Sequence, residues 1–135
     1  MIHLVRKVQF CAAHRLHTDK LSIEENKRVY GICNNENGHG HNYELEVTIA
    51  GEVDPITGMV MDLKELKEII EKEIVDKVDH KNLNFDVDFL EGLVPTAEVV
   101  TMKFWEILED KIPHGKLYRI RLWESSNNVV EFYGN

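Results

Sequence analysis

Tyr43, Leu45, Val47 and Ile49 alternate with Asn42, Glu44, Glu46 and Thr48, so the stretch from about Asn42 to Glu52 predicts a strand with one apolar and one polar face. Leu4, Val8, Phe10 and Ala12 alternate in the same way, interrupted by Arg6, and predict a first strand from about Ile2 to Ala12. Between the two, Arg15 to Gly38 is a long polar connection; Ser22 and Glu25 have capping-box spacing there and predict a short helix near Ser22 to Arg28. After the turn chemistry of Asp54-Pro55-Ile56-Thr57-Gly58 the period changes. Asp62 caps a helix that ends near Val78, with Leu63, Leu66, Ile69, Ile70 and Ile74 on its buried stripe and Lys64, Lys67, Glu68, Glu71 and Lys72 in water. Thr96, following Pro95, caps a second long helix whose stripe is Val100, Phe104, Ile107 and Leu108, up to Lys111. Alternation returns from Leu117 to Glu124, and Ser125-Ser126-Asn127-Asn128 reads as a hairpin into a last strand from Val129 to Tyr133.

Strand, strand, helix, helix, strand, strand is the order of an α+β layer: a four-stranded antiparallel sheet with two helices on one face. Such a sheet leaves open edges, and homo-oligomerisation through them is the natural expectation. At 135 residues and 43% hydrophobic composition the chain suits a single domain, 1–135, around one core. A formal net charge of −8 argues against nucleic acid as a partner. Cys11 and Cys33 form no Cys-x-x-Cys and point to a reducing compartment. Without a charged-then-apolar leader or an apolar run of about 18 residues, the expectation is a cytoplasmic protein with no membrane partner.

Parity then changes the picture at Cys33-Asn34-Asn35-Glu36-Asn37-Gly38-His39-Gly40-His41-Asn42-Tyr43. Extended backwards, the second strand carries His39 and His41 on its apolar face, with Gly40 between them leaving room for close backbone approach. Taken alone, His-x-His is a weak signal for a metal and reads as a polar lead-in to a strand. His14 falls on the apolar face of the first strand, unless a bulge at Ala12-Ala13 shifts the register, and Glu124 closes the apolar row of the third. Three strands thus bring ionisable groups to one otherwise apolar face, where such groups need a partner or a role. Three imidazoles with a vacant fourth position match a catalytic zinc site, and nitrogen ligation favours zinc over magnesium. Cys33 is then either a fourth ligand, closing a structural site, or a thiolate free to act as base or nucleophile. Asp79-His80 is either a proton-shuttling pair or the polar end of a helix. Cys11, inside a strand, reads as a small buried hydrophobe. His3, His17 and His114 read as surface or loop histidines, and Lys20, Lys27 and Arg28 as a solvated face or as positive charge for a phosphate group.

Ala13-His14-Arg15-Leu16-His17, Cys33 through Tyr43, Val53 through Met61, Asp79-His80-Lys81-Asn82-Leu83 and Trp123-Glu124 with Asn127-Asn128 together resemble the 6-pyruvoyl-tetrahydropterin synthase family over nearly the whole chain. The five-residue spacer between Cys33 and His39 resembles the animal-type synthases more than the related 6-carboxytetrahydropterin synthases. The resemblance implies the tunnelling fold, with trimers closing a twelve-stranded barrel and stacking into a homohexamer whose active sites lie between subunits. It implies His14, His39 and His41 as ligands of one Zn2+, Cys33 as catalytic base, and Asp79 and His80 as a relay reaching Cys33 from a neighbouring chain. Glu124 becomes the pterin anchor, with Thr96 and Glu98 near the pterin pocket. Ala97 departs from the paired threonines of animal synthases and puts one hydrogen bond there in doubt. The implied reaction converts 7,8-dihydroneopterin triphosphate to 6-pyruvoyl-tetrahydropterin with loss of triphosphate, a step of tetrahydrobiopterin synthesis; Mg2+ accompanying the triphosphate has no dedicated site in the sequence. The rivals are 6-carboxytetrahydropterin synthase activity in queuosine synthesis, a non-catalytic zinc-stabilised pterin-binding protein, and cyclohydrolase-like chemistry on a related fold.

Overall fold

The computed structural model describes all residues, Met1–Asn135. Two long strands, β1 (Ile2–His14) and β2 (His39–Gly51), pair antiparallel without a break from Ile2 opposite Gly51 to His14 opposite His39. There is therefore no bulge at Ala12-Ala13, and the alternation that begins at Leu4 survives to His14. β4 (Lys116–Ser125) pairs with β2, and β5 (Asn128–Phe132) pairs with β4 across a two-residue turn.

The sheet has five strands where four were expected, in the order β3-β1-β2-β4-β5. The additional strand, β3, is only Lys81–Asn82 and runs parallel to β1. A polar stretch of this kind carries no alternation, so the sequence reads it as a turn. Side chains of its neighbours fix it. Asp79 Oδ1 accepts from the Cys11 backbone N–H at 3.0 Å. Asn84 Oδ1 accepts from the Arg15 N–H at 2.8 Å, and the Asn84 amide donates back to the Arg15 carbonyl at 2.9 Å. Between them His80 N–H donates to the Cys11 carbonyl and Leu83 N–H to the Ala13 carbonyl. The segment 79–84 is thereby fastened along the edge of β1 where that strand delivers His14.

Two helical segments, residues 63–78 and 97–108, pack on one face of the sheet. In the connection, α1 (Ile23–Tyr30) starts on the expected Ser22–Glu25 capping box. After Asp62 come α2 (Leu63–Ile70), one π-helical turn (Glu71–Val75) and the short α3 (Asp76–Val78), forming a continuous rod that ends at the expected Val78. Leu66, Ile70, Ile74 and Val78 are all fully buried. Four-residue spacing drifts by about 40° per step around an ordinary α-helix; the wider π turn takes up that drift and holds the row against the sheet. α4 (Ala97–Leu108) starts on Thr96, whose hydroxyl accepts from the Val99 N–H. With Phe10, Tyr43, Leu45, Val47, Ile49, Ile120 and Leu122 from the sheet, these helices close one continuous core.

The opposite face has no helical cover. Lys7, Glu46, Arg121 and Glu131 stand in register across β1, β2, β4 and β5, an alternating row of charge in which Arg121 lies 3.6 Å from Glu46 and 2.8 Å from Glu131. No helix is long and apolar enough to cross a membrane.

Candidate metal centre and adjoining acid–base pair

Because the β1–β2 register is unbroken, His14 and His39 are directly opposite one another and His41 lies two residues along on the same face. Their rings meet edge to face, with centroids 4.7 to 5.1 Å apart. One nitrogen from each can be chosen so that all three lie within 4.8 Å of one another. Neutral imidazole is the form a metal needs, and burial supplies it. Desolvation lowers the pKa of His14 more than its bond to the Pro95 carbonyl raises it. Burial likewise lowers that of His41, against the opposing pull of Glu124.

Tautomer is fixed at His14. Its Nδ1 donates to the carbonyl oxygen of buried Pro95 at 2.8 Å, which leaves the Nε2 lone pair pointing at the cluster. His14 Nε2 and His39 Nε2 are 3.1 Å apart, close to the roughly 3.3 Å separating two imidazole nitrogens on one tetrahedral ion. The Nε2 of His41 is buried without a hydrogen-bond partner, a deficit that costs about 1–3 kcal/mol when nothing relieves it. Three convergent nitrogens, one pre-set and one orphaned, fit a metal ion of the borderline type.

The turn before β2 matters to this geometry. Gly38 has φ +75°, and a Cβ there would stand 3.0 Å from the His14 carbonyl oxygen. At Gly40 the expected close approach does not occur: a Cβ would meet the Ala12 oxygen at 3.7 Å, an ordinary contact. The residue that must be glycine is the one before the His-x-His pair.

Glu124 reaches the same pocket, with Oε1 3.6 Å from His41 Nε2. It is the extra residue of a bulge in β4, since Trp123 pairs with Val129 and Ser125 with Asn128; bulges commonly re-aim a side chain in this way. Burial, with the Glu124 charge adding to it, pushes the Tyr43 phenol well above its ordinary range. Thr96 and Glu98 lie at the start of α4, next to the Pro95 carbonyl. Thr96 Oγ1 is engaged as the helix cap at 3.2 Å from Val99 N, Glu98 is exposed and Ala97 is buried.

Cys33 lies in a 3₁₀ turn (Gly31–Asn34), partly buried and unpaired, its carbonyl accepting from Leu16 N–H at 2.9 Å. Its sulfur belongs neither to the histidine cluster nor to the group around Asp79 and His80. Those two form their own pair, His80 Nδ1 lying 3.0 Å from Asp79 Oδ2. The Cys11 N–H holds the Asp79 carboxyl below its ordinary pKa, with His80 adding to the effect. The sulfur beside them within one chain is that of Cys11. Cys11 is not the buried core residue expected. It is half-buried, on the helix-free face of the sheet. Of the cations in the long connection, Lys27 lines a groove with Arg15 and His17.

Sequence reasoning missed the Pro95 carbonyl, for which no residue-type signal exists, and the Cys11 position, for which parity was the available signal.

Comparison with known proteins gives matches over nearly the whole chain. The family profile described as 6-pyruvoyl tetrahydropterin synthase matches residues 3–135. The chain is 46% identical over 129 residues to a protein of Homo sapiens named 6-pyruvoyl tetrahydrobiopterin synthase, covering 96% of this chain and 89% of that one. It is also 46% identical over 131 residues to the protein of that name from Dictyostelium discoideum, covering 97% and 95%. The solved structure of Caenorhabditis elegans 6-pyruvoyl tetrahydropterin synthase superposes with a TM-score of 0.94 at 43% identity, over 99% of this chain and 96% of the other.

Proposed function

The chain belongs to the 6-pyruvoyl tetrahydropterin synthase family, and from that premise we propose that it is a lyase converting 7,8-dihydroneopterin triphosphate into 6-pyruvoyl-tetrahydropterin with elimination of triphosphate. The observation that carries the reading is the convergence of His14, His39 and His41 beside Glu124 at one end of an otherwise apolar sheet face. A cluster of nitrogen donors set next to a carboxylate suits a ligand with hydroxyls at one end and a row of N–H groups at the other.

His14, His39 and His41 would hold Zn2+, which as a Lewis acid lowers the pKa of bound hydroxyls and stabilises developing negative charge. Glu124 would accept hydrogen bonds from the amino and ring N–H groups of the pterin, a paired edge matched by a carboxylate's two oxygens. Thr96, whose oxygen caps α4 but whose proton is free to donate, and Glu98 would flank the pterin. Cys33, as thiolate, would take the carbon-bound proton, and Asp79 with His80 would return it. Asp79 is suited to that role because the Cys11 N–H keeps it ionised beside the imidazole.

Cys33 stands apart from Asp79 and His80 within one chain, which supports a homohexameric assembly, a dimer of trimers, in which the acid–base group is completed across subunits. The edge of β5 and the part of β1 that does not pair with β3 supply strands for such an assembly.

The test is product analysis. Incubation with dihydroneopterin triphosphate is expected to release triphosphate and 6-pyruvoyl-tetrahydropterin; carboxylated pterin with acetaldehyde in their place, or no turnover, overturns the reading. Cys33→Ala is expected to keep zinc and lose turnover, and His39→Ala to lose zinc.

A further inference from the structure

Beyond the histidine cluster, one other group of side chains converges as a metal site does. Cys11, Asp79 and His80 offer a sulfur, a carboxylate oxygen and an imidazole nitrogen, all within 4.8 Å of one another. They lie on the opposite face of β1 from His14, because positions 11 and 14 of a regular strand project to opposite sides. The group is built, not incidental to a crowded surface. The Cys11 N–H donates to Asp79 Oδ1 at 3.0 Å, the His80 N–H donates to the Cys11 carbonyl at 2.6 Å, and His80 Nδ1 sits 3.0 Å from Asp79 Oδ2. His80 is the one non-glycine residue with positive φ, at 60°, a conformation that histidine adopts at a cost and that is concentrated at functional positions. The site opens onto a groove of about 670 Å³ walled by Gln9, Asn42, Glu44, Trp123 and Ser125. The His80 side chain is 79% exposed in the single chain, which leaves room beside it for an ion and a remaining water ligand.

We infer that Cys11, Asp79 and His80 form a second, thiolate-containing site for a borderline divalent ion such as zinc. Thiolate, imidazole and carboxylate are the donor set for zinc and cobalt, and a poor one for magnesium or calcium. On binding, the Cys11 thiol gives its proton to solvent as the metal–sulfur bond forms, and no electrons change hands. Asp79 can ligate without losing its backbone bond, since a carboxylate has lone pairs to spare. Occupancy removes the basic nitrogen of His80 and the free oxygen of Asp79 from proton transfer. The second ion is therefore inhibitory, a consequence that rests on the relay role proposed above; the binding itself does not.

Cobalt separates the sites because only thiolate ligation gives an intense near-ultraviolet sulfur-to-metal charge-transfer band. Titrating the metal-free full-length protein with Co2+ is expected to fill two equivalents per chain, with the band present in wild type, in Cys33→Ser and in His39→Ala. Cys11→Ser is expected to lose the band and weaken one equivalent by at least roughly tenfold, a loss typical even of an outer-shell partner. His80→Ala, at an exposed side chain that tests the site without disturbing the core, is expected to weaken the same equivalent. A band that survives Cys11→Ser, disappears in Cys33→Ser or is absent throughout overturns the proposal. In a turnover assay, excess Zn2+ is expected to inhibit wild type at concentrations at least tenfold below those needed for Cys11→Ser. If the spectroscopic result holds but zinc does not inhibit, the relay assignment fails and the metal site stands.

Discussion

His14 Nδ1 donates to the carbonyl oxygen of Pro95 at 2.8 Å, joining the last residue of β1 to the residue before the cap of α4. The bond joins positions 81 residues apart, and it selects the tautomer in which His14 Nε2 is unprotonated, its lone pair free for a metal. Pro95→Gly, which loosens the carbonyl without touching any ligand, is expected to weaken zinc binding by about 10–100-fold. Competition against a chromophoric chelator measures this, and unchanged affinity shows that the carbonyl is dispensable.

A related constraint acts from the other side of the cluster. Gly38 occupies φ +75° with the His14 carbonyl oxygen 3.0 Å from where its Cβ would be. Left-handed backbone alone costs a substituted residue roughly 1–2 kcal/mol, and the contact with main chain adds to it. Gly38→Ala is expected to lower the urea midpoint and the metal affinity together, whereas Gly40→Ala, with its nearest neighbour at 3.7 Å, does neither to a comparable degree. Equal losses at the two positions overturn this assignment.

Acidification should act through the same histidines. Burial holds His14 and His41 below the ordinary value of 6.5, so the unfolded chain takes up protons that the folded chain refuses. Their contribution to stability is fully present above pH 6.5 and is lost as the pH falls through the folded values. Asp54 and Asp79 are lowered from 3.8 and act only further down the scale. Chelator-treated protein is expected to show a lower urea midpoint at about pH 5.5 than at about pH 7.5, and bound zinc is expected to widen that difference, because it holds the imidazoles unprotonated in the folded chain alone. Equal midpoints for the metal-free protein count against buried neutral imidazoles.

His80 offers a trade between stability and function. Its φ of 60° carries a left-handed penalty of roughly 1–2 kcal/mol, while glycine would add unfolded-state entropy worth about 0.4–1 kcal/mol. Its ion pair with Asp79 is exposed on the histidine side and contributes little. The balance favours His80→Gly by about 0.5–1 kcal/mol, at the expense of the proposed proton return. Denaturant unfolding beside a turnover assay reads both. A destabilised His80→Gly shows that the turn is held by the imidazole.

How much of this was legible before the structure depends on which signals are periodic. Parity found His14, His39 and His41 because β1 and β2 pair without a bulge, so that every second residue keeps its face from Leu4 to His14; Glu124 reaches the same pocket from a bulge in β4 that alternation does not show. The same parity puts Cys11 opposite Phe10 and Ala12, on the helix-free face; treating it as a core residue gave residue type more weight than position. β3 was invisible because two residues carry no period, and what holds it in place comes from the Asp79 and Asn84 side chains. The Pro95 carbonyl left no trace because every residue has one. The π turn at Glu71–Val75 could be inferred only from the four-residue row Leu66, Ile70, Ile74, Val78, which a reading that ended its apolar stripe at Ile74 did not complete.

The separation of Cys33 from Asp79 and His80 within one chain gives the proposed assembly a sharp test. If each site takes its thiol from one subunit and its Asp79–His80 pair from another, Cys33→Ala and His80→Ala inactivate different halves of the same site. Homogeneous preparations of either are expected to be inactive. In a one-to-one mixed assembly, a site takes its thiol half from a His80→Ala chain with probability one half, and its relay half from a Cys33→Ala chain with the same probability. About one quarter of sites are then intact, and co-assembled protein is expected to recover roughly a quarter of wild-type turnover. A site made within a single chain carries one lesion in every copy and recovers nothing. Recovery after co-refolding, with none on simple mixing of pre-formed assemblies, would locate the acid–base group across the subunit boundary.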